Sequence, residues 1–262
     1  MIFCYHTTMQ NPAPDPVSFS THSVRRINGS IADWLGRQIV LGQLPEGEQV
    51  PTEMDFVQQA GVSRGAYREA LRQVGAKGML ISRTRSGTRV APRESWVLLD
   101  PDVVRWFFEA GAPPDWFIRA IYELRAMVEP PAAAFAAERR TEADLAAFRA
   151  ALHAMRTCEM TETSWHQADA GFHRAILRSS RNPVLITLEA GICAAVASTT
   201  AFRYRDMPNP HTRNPVEEHA AVFERIEAQD PQGARRLMAD LVDTALLDQL
   251  GTTVFDQKSS SP

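Results

Sequence analysis

Three side chains in this 262-residue sequence have the types and spacing to hold one metal ion. In "HQADAGFHRAIL", Asp169 and His173 stand four residues apart. On a helix that spacing puts a carboxylate and an imidazole on one face, one turn from each other. Phe172, Ile176 and Leu177 run alongside. His219, in "NPVEEHAAVFERI", is the third candidate, on a second helix with an apolar face. Such nitrogen and oxygen donors suit zinc, and nickel or manganese as well. His166 falls a partial turn off the Asp169–His173 face and reads as solvent-exposed. The Asp-to-His spacing equally fits a hydrogen bond on a helix surface, so both readings stand.

Arg125 lies in the apolar stretch "FIRAIYELRAMVEP", with Glu129 four residues on. The pair fits a surface salt bridge. Asn182 is placed to cap a helix starting at Pro183.

The second chemistry is cationic. "GVSRGAYREALRQVGAKG", residues 61–78, carries Arg64 and Arg68 four apart on a helical pattern. Both guanidiniums can then enter one groove, where the fork matches guanine O6 and N7 or a phosphate. The elements that must position them can be read in order. Ser30 caps a helix over residues 30–41 with Ile31, Trp34, Leu35 and Ile39 on one face. "GQLPEGEQVPTE" is a turn. Thr52 caps a second helix, Gly61 ends it, and Val62 fills the turn. Ser63 caps a third helix running from Arg64 to about Ala76. A helix, a glycine turn and a helix with a cationic start form the helix-turn-helix pattern. Met79–Ile81 and Thr88–Val90 then read as strands around "RTRSG", a hairpin or wing, with Arg83, Arg85, Arg89 and Arg93 in or beside it.

Beyond "APRESWVLLDPDVVRWFFEAGAPPD", with its amphipathic piece Val103–Phe108, helices are expected near 115–139, 142–157, 162–180, 183–203, 215–229 and 231–249. The fold class is mainly α: an N-terminal winged helix-turn-helix of three helices plus a β-hairpin, then an all-α helical bundle. The expected divisions are a disordered tail over 1–21, the winged unit over 22–93, a linker and connecting helix over 94–114, the bundle over 115–250, and a flexible tail over 251–262.

Charge follows this division. Residues 22–93 hold eleven Lys and Arg against six acids, a net +5, inside a chain of net −3. A basic head on an acidic body is the footprint of a nucleic-acid reader. Cys4, Cys158 and Cys193 are too dispersed for a disulfide framework or zinc knuckle and suit a reducing cytoplasm. No apolar run reaches the roughly 20 residues that span a bilayer.

The stretch from "LPEGEQVPTEMDF" through "GVSRGAYREALRQVG" to "RTRSGTRV" resembles the winged helix-turn-helix of GntR-type bacterial transcription regulators. That resemblance implies double-stranded operator DNA as partner, with Thr52, Ser63, Arg64, Arg68, Arg72, Arg85 and Gly87 as contact candidates. Met54 stands where the family often has arginine, and Arg85 where it has the first wing glycine. Residues 115 to 249 resemble the FCD effector domain of the FadR-like branch, on "ELRAMVEPPAAAFAAERRT", "ADAGFHRAILRSSRNPVL" and "EEHAAVFERIEAQDPQGARRLM". In many such domains an aspartate and two or three histidines bind a divalent metal beneath the effector pocket. Asp169, His173 and His219 fall on three of those positions. Leu241 stands in place of a further histidine, with Asp240 beside it. Either effector or water completes the set, or Asp240 substitutes, or the metal is weak. The resemblance also turns Arg125, with Glu129, toward the effector carboxylate, and makes Arg203 and Asn182 further candidates for lining the effector site. "APRESWVLLDPDVVRWFFE" is similar to regulators responding to galactonate-type aldonates.

These implications describe a homodimeric cytoplasmic repressor released from DNA by a small sugar acid. Two other readings compete with it. A metal-dependent enzyme acting on a small carboxylate lacks a spare general base, an HExxH, a phosphate loop or a nucleophile elbow. A constitutive DNA binder would use the metal residues as packing alone.

Overall fold

The computed structural model describes residues 30–83, 87–205 and 214–259. The expected tail over 1–21, Arg25 and Arg26, and the wing residue Arg85 lie outside the described residues.

Helix α1 (Ile31–Val40) starts at a reciprocal cap: Ser30 Oγ accepts from the Asp33 amide, and Asp33 accepts from the Ser30 amide at 2.8 Å. Helix α2 (Glu53–Ala60) is capped by Thr52 and closed by Gly61, whose φ of +67° suits glycine. Helix α3 (Arg64–Ala76) is capped by Ser63. Tyr67 stacks on Phe56 at 4.3 Å between centroids and donates its hydroxyl to Pro51 O at 2.6 Å, fixing α3 on α2. Strands β1 (Leu80–Arg83) and β2 (Gly87–Val90) pair antiparallel, with Leu80 opposite Val90. The stretch after α1 is more than the expected turn. The Val50 amide donates to Thr88 O at 3.0 Å and the Val90 amide to Glu48 O at 2.9 Å. The free edge of β2 thereby finds its backbone partners.

The joining segment holds a buried helix, α4 (Pro101–Glu109), capped by Asp100. Its Trp106 ring lies against the backbone of α1 so closely that a Cβ on Gly36 would sit 2.2 Å from the ring. Beside it, Asp33 accepts from Trp106 Nε1 at 2.9 Å and from Arg105 Nη2 at 2.5 Å. Partial burial opposes the Asp33 charge, but the hydrogen bonds from Trp106 and Arg105 prevail and hold the carboxyl well below its ordinary range. Lys77, near the end of α3, reaches Asp100 at 2.7 Å and Asp102 at 2.8 Å.

The bundle follows. Helix α5 (Asp115–Arg139) continues through Pro130 and Pro131, which have no N–H to give the carbonyls of Ala126 and Met127. Next come α6 (Glu142–Thr157), α7 (Thr163–Ser179), α8 (Pro183–Thr187), α9 (Glu189–Tyr204), α10 (Pro215–Glu227) and α11 (Pro231–Ser259). The single helix expected over 183–203 is two: α8 closes where the Leu188 amide turns back to Leu185 O, a tight three-residue bond. Helix α11 continues to Ser259 where a tail was expected from 251; Gly251 is only a weak helix breaker. Phe148, Phe172, Trp165, Phe223 and Met238 fill the bundle core. A second core joins the winged unit to α4, to Phe117 and Ile121 of α5, and to Phe202 of α9, whose ring meets Phe108 at 5.9 Å. None of the described helices is long and apolar enough to cross a membrane.

Two measurements probe the α1–α4 contact. Gly36→Ala should destabilise the protein by about 1–3 kcal/mol through overpacking against Trp106. Gly75→Ala, whose Cβ meets nothing within 4 Å, should be neutral or slightly stabilising in the same urea titration. Because the folded Asp33 carboxyl is depressed, its contribution is complete above the ordinary value of 3.8 and is lost as pH falls below it. Asp33→Asn should therefore be less stable at neutral pH and lose less stability on acidification, read as unfolding free energy against pH.

Candidate metal centre and nucleic-acid interface

Asp169 and His173, one turn apart on α7, come together with the third candidate, His219 of α10. One ligand atom of each lies within 4.8 Å of the others, and all three residues are buried. His173 Nε2 is 3.5 Å and His219 Nε2 3.0 Å from the same oxygen, Asp169 Oδ1. The opposite ring nitrogens explain the arrangement. His219 Nδ1 is 2.6 Å from Pro215 O, which can only accept, so that nitrogen carries the hydrogen. His173 Nδ1 is 2.5 Å from Glu129 Oε2, a carboxylate that likewise accepts. In their neutral forms both imidazoles therefore turn a bare Nε2 lone pair toward Asp169. Asp169 Oδ1 and His219 Nε2 have no hydrogen-bond partner among the described residues, despite their separation. Three converging acceptors cannot satisfy one another; they need a proton or a cation. The other Asp169 oxygen accepts from Thr200 on α9 at 2.8 Å, which fixes the carboxylate plane.

Behind His173 the chain continues inward. Glu129 is fully buried and its Oε1 accepts from Arg125 Nε at 2.8 Å. Burial disfavours the Glu129 charge, but Arg125 and His173 outweigh it and hold the carboxyl low. The Arg125–Glu129 pair has the four-residue spacing of a surface salt bridge, yet both side chains lie in the interior. Burial opposes the Asp169 charge too, and His173 and His219, once protonated at Nε2, hold the carboxyl well below its ordinary value.

Several sequence expectations change. His166, read as exposed, is buried, with Nε2 at 2.8 Å from Met160 O. Asp240 is exposed on α11 and does not join the cluster, while Leu241 is packed in the apolar core, so Asp240 does not replace the absent histidine. Asn182 serves as the cap of α8, its Oδ1 accepting from the Val184 and Leu185 amides, and takes no part in the buried cluster. Arg203 is buried on α9. The part of Glu129 as partner of His173 and that of Thr200 were missed. The one available signal was an acid inside the apolar run "AMVEPPAAAFAAE".

In the winged unit Arg64 and Arg68 both lie exposed on α3. Arg64 is loosely paired with Glu53 at 3.8 Å, and no hydrogen bond or ion pair engages Arg68 among the described residues. Arg72 is held by Glu69 through bonds of 2.8 and 2.6 Å. The hydroxyls of Thr52 and Ser63 are used by their caps. Gly87 has φ of +74°, which begins β2 in a conformation that favours glycine. Arg89 and Arg93 are drawn into structure. Arg89 donates to Gly47 O at 2.9 Å, and Arg93 lies over the Trp116 ring at 4.8 Å.

With this geometry in place, comparison with known proteins decides the family. Residues 28–90 match the family of bacterial regulatory proteins, gntR family, and residues 120–244 match the FCD domain. The galactonate operon transcriptional repressor of Escherichia coli K12 is 34% identical over 212 residues, covering 79% of this chain and 90% of that protein. The chain belongs to the GntR family. It is a DNA-binding transcription regulator with an FCD domain, not an enzyme. This GntR regulator is also similar, at 30% identity over 82% of its length and 83% of the other's, to an E. coli K12 protein named for regulation of the L-lactate dehydrogenase operon. The solved structure of Lar, described as controlling expression of the Listeria monocytogenes agr system, shares the fold with a TM-score of 0.59. It is 17% identical and covers 88% of this chain and 96% of that one. The GntR head binds DNA, and the buried Asp169, His173 and His219 could bind a metal, as FCD domains do.

Replacing Glu129 tests the buried relay. Glu129→Gln leaves the Arg125 guanidinium without its carboxylate and should cost about 3–5 kcal/mol of folding stability in urea titration. It should also weaken zinc binding about 10- to 100-fold, since the partner that orients His173 is altered; competition with a chromogenic chelator reads that loss.

Proposed function

We propose that this regulator is a homodimeric repressor of a sugar-acid catabolic operon, released from its operator by a small 2-hydroxycarboxylate that binds with a divalent metal, zinc being the leading choice. The observation that carries the reading is the buried convergence of Asp169 Oδ1 with the two histidine Nε2 atoms, which calls for a cation. Asp169, His173 and His219 would hold the metal. A bound divalent ion supplies positive charge and open positions that carboxylate and hydroxyl oxygens can fill. The acids in the names of the two relatives, galactonate and L-lactate, are both 2-hydroxycarboxylates.

Arg64 and Arg68 are the proposed base or phosphate contacts, and Thr52, Ser63, Arg72, Arg85 and Gly87 the further contact candidates. Thr52 and Ser63 serve the interface chiefly by capping the helices, and Gly87 by starting β2. A two-fold dimer reads an operator with matching two-fold symmetry. The acid lowers DNA affinity only by the difference between its binding to the free and the DNA-bound shapes.

Gel retardation with the promoter of the protein's own gene tests this. Zinc-loaded protein should retard the fragment and release it when galactonate or another sugar acid is added; chelation should abolish the release. Retention of DNA under every acid would favour a constitutive binder. Arg64→Ala and Arg68→Ala should each cost about 1–3 kcal/mol of operator binding with an unchanged far-ultraviolet dichroism spectrum. Affinity should fall steeply with salt as counterions are released. Unaltered binding in both variants would remove α3 from the interface.

A further inference from the structure

We propose that the exposed face shared by α5 and α11 is where two copies of this chain meet, with their α11 helices crossing antiparallel at Ala239. This rests on the homodimer reading above and gives that dimer its surface. Helix α11 turns one side into the bundle, through Ala234, Met238, Leu241 and Val242. On its other side Gln232, Arg236, Ala239, Asp243 and Leu247 recur every three or four residues and form one stripe. Helix α5 runs beside it in the opposite direction. Arg140, just past the end of α5, donates to Ile226 O and Glu227 O, which precede α11. Further back on α5, Met127 and Pro130 line one groove with Gln232, Arg236 and Ala239. Glu123, one turn before Met127, therefore lies level with the stretch of α11 beyond Ala239.

The charges on this face are sorted by sign. Arg235 and Arg236 come before Ala239; Asp240 and Asp243 come after it, with Glu123 alongside. All five are exposed, and no hydrogen bond or ion pair engages their side chains among the described residues. Arg149, Arg178 and Arg181, by contrast, each hold an acid of the same chain.

A helix face that reads cation, small residue, anion is its own complement when turned end for end. A two-fold axis at the level of Ala239 and Asp240 sets Arg236 opposite Asp243 of the partner subunit, and Asp243 opposite the partner subunit's Arg236. Glu123 adds a second acid to each pairing. Such self-complementarity is what an isologous contact requires, whereas parallel α11 helices would set like charges together. Ala239 at the crossing is small enough for two helices to approach to about 8–10 Å. Met127 beside it and Leu247 at the end of the stripe are each 69% exposed, apolar surface that a second copy covers.

Sedimentation equilibrium of the full-length protein at micromolar concentration tests this face. The wild type should be a dimer. Arg236→Glu sets glutamate against aspartate at both pairings, and Asp243→Arg sets arginine against arginine. Each should weaken the dimer about 100-fold or more, with helicity unchanged by circular dichroism. Mixed in equal amounts, the two variants should dimerise again, because every opposing pair in the mixed dimer is of unlike sign. A dimer of wild-type affinity in either variant, or a mixture that stays monomeric, would overturn the proposed face and leave the homodimer reading standing. A wild type that is monomeric throughout this range would remove that reading and the face with it. If either variant fails to fold, Ala239→Cys carries the test. Oxidation by copper phenanthroline should join two copies on a non-reducing gel where the wild type stays single, and the lack of such a band would refute the crossing at Ala239.

Discussion

The bundle is organised around a buried carboxylate that serves two partners. Glu129 takes the Arg125 N–H on one oxygen and the His173 N–H on the other. Its negative charge makes a buried arginine tolerable and fixes which nitrogen of His173 bears hydrogen. That choice of tautomer, matched at His219 by Pro215 O, turns two lone pairs toward Asp169. Without Glu129 the ring of His173 could turn over, and the convergence would lose its cause. Helix spacing brings Asp169 and His173 together and α10 supplies His219; the polar groups behind them leave a cluster that could hold a cation.

A second constraint ties that cluster to the reading head. Asp33 uses both oxygens, one for the start of α1 and one for Arg105 and Trp106 of α4. On its far side α4 meets α9 through Phe108 and Phe202, and Gly191 of α9 approaches Leu99 so closely that a Cβ there would sit 2.4 Å from it. Helix α9 carries Thr200 and Arg203 on the inside and Phe202 at this contact. The hydroxyl that holds Asp169, the buried guanidinium and the joining helix are thus linked by short, well-filled contacts, the kind of packing that passes on a displacement instead of absorbing it.

Much of this was legible in the sequence because local chemistry announced it. Ser30, Thr52, Ser63 and Gly61 mark helix ends with side-chain oxygens or a left-handed turn, and the helices begin and end there. Asp169 and His173 were readable from one helical turn of spacing. What escaped were contacts between segments far apart in sequence. Nothing near Asp33 announces Trp106, 73 residues away, and nothing near His173 announces Glu129, 44 residues away. His166 was misplaced for a related reason: helical phase tells which side a residue occupies, but not whether a loop carbonyl such as Met160 O waits there to receive it. Helix α11 outran its expected end because the pattern weakened without a true stop signal.

The absence of a side chain at Gly36 sets where this protein could be cut and rejoined. A boundary drawn after the wing, near residue 93, looks natural on paper, yet it would strip the Trp106 ring from its seat and leave a bare apolar hollow along α1. The seam suited to recombination lies beyond α4, at residues 110–114, where Gly111 has φ of +143° and a Cβ would meet nothing within 4 Å. A head transplanted between relatives with its tryptophan-bearing helix attached keeps its own lining; one moved without it must find a new ring of the same size.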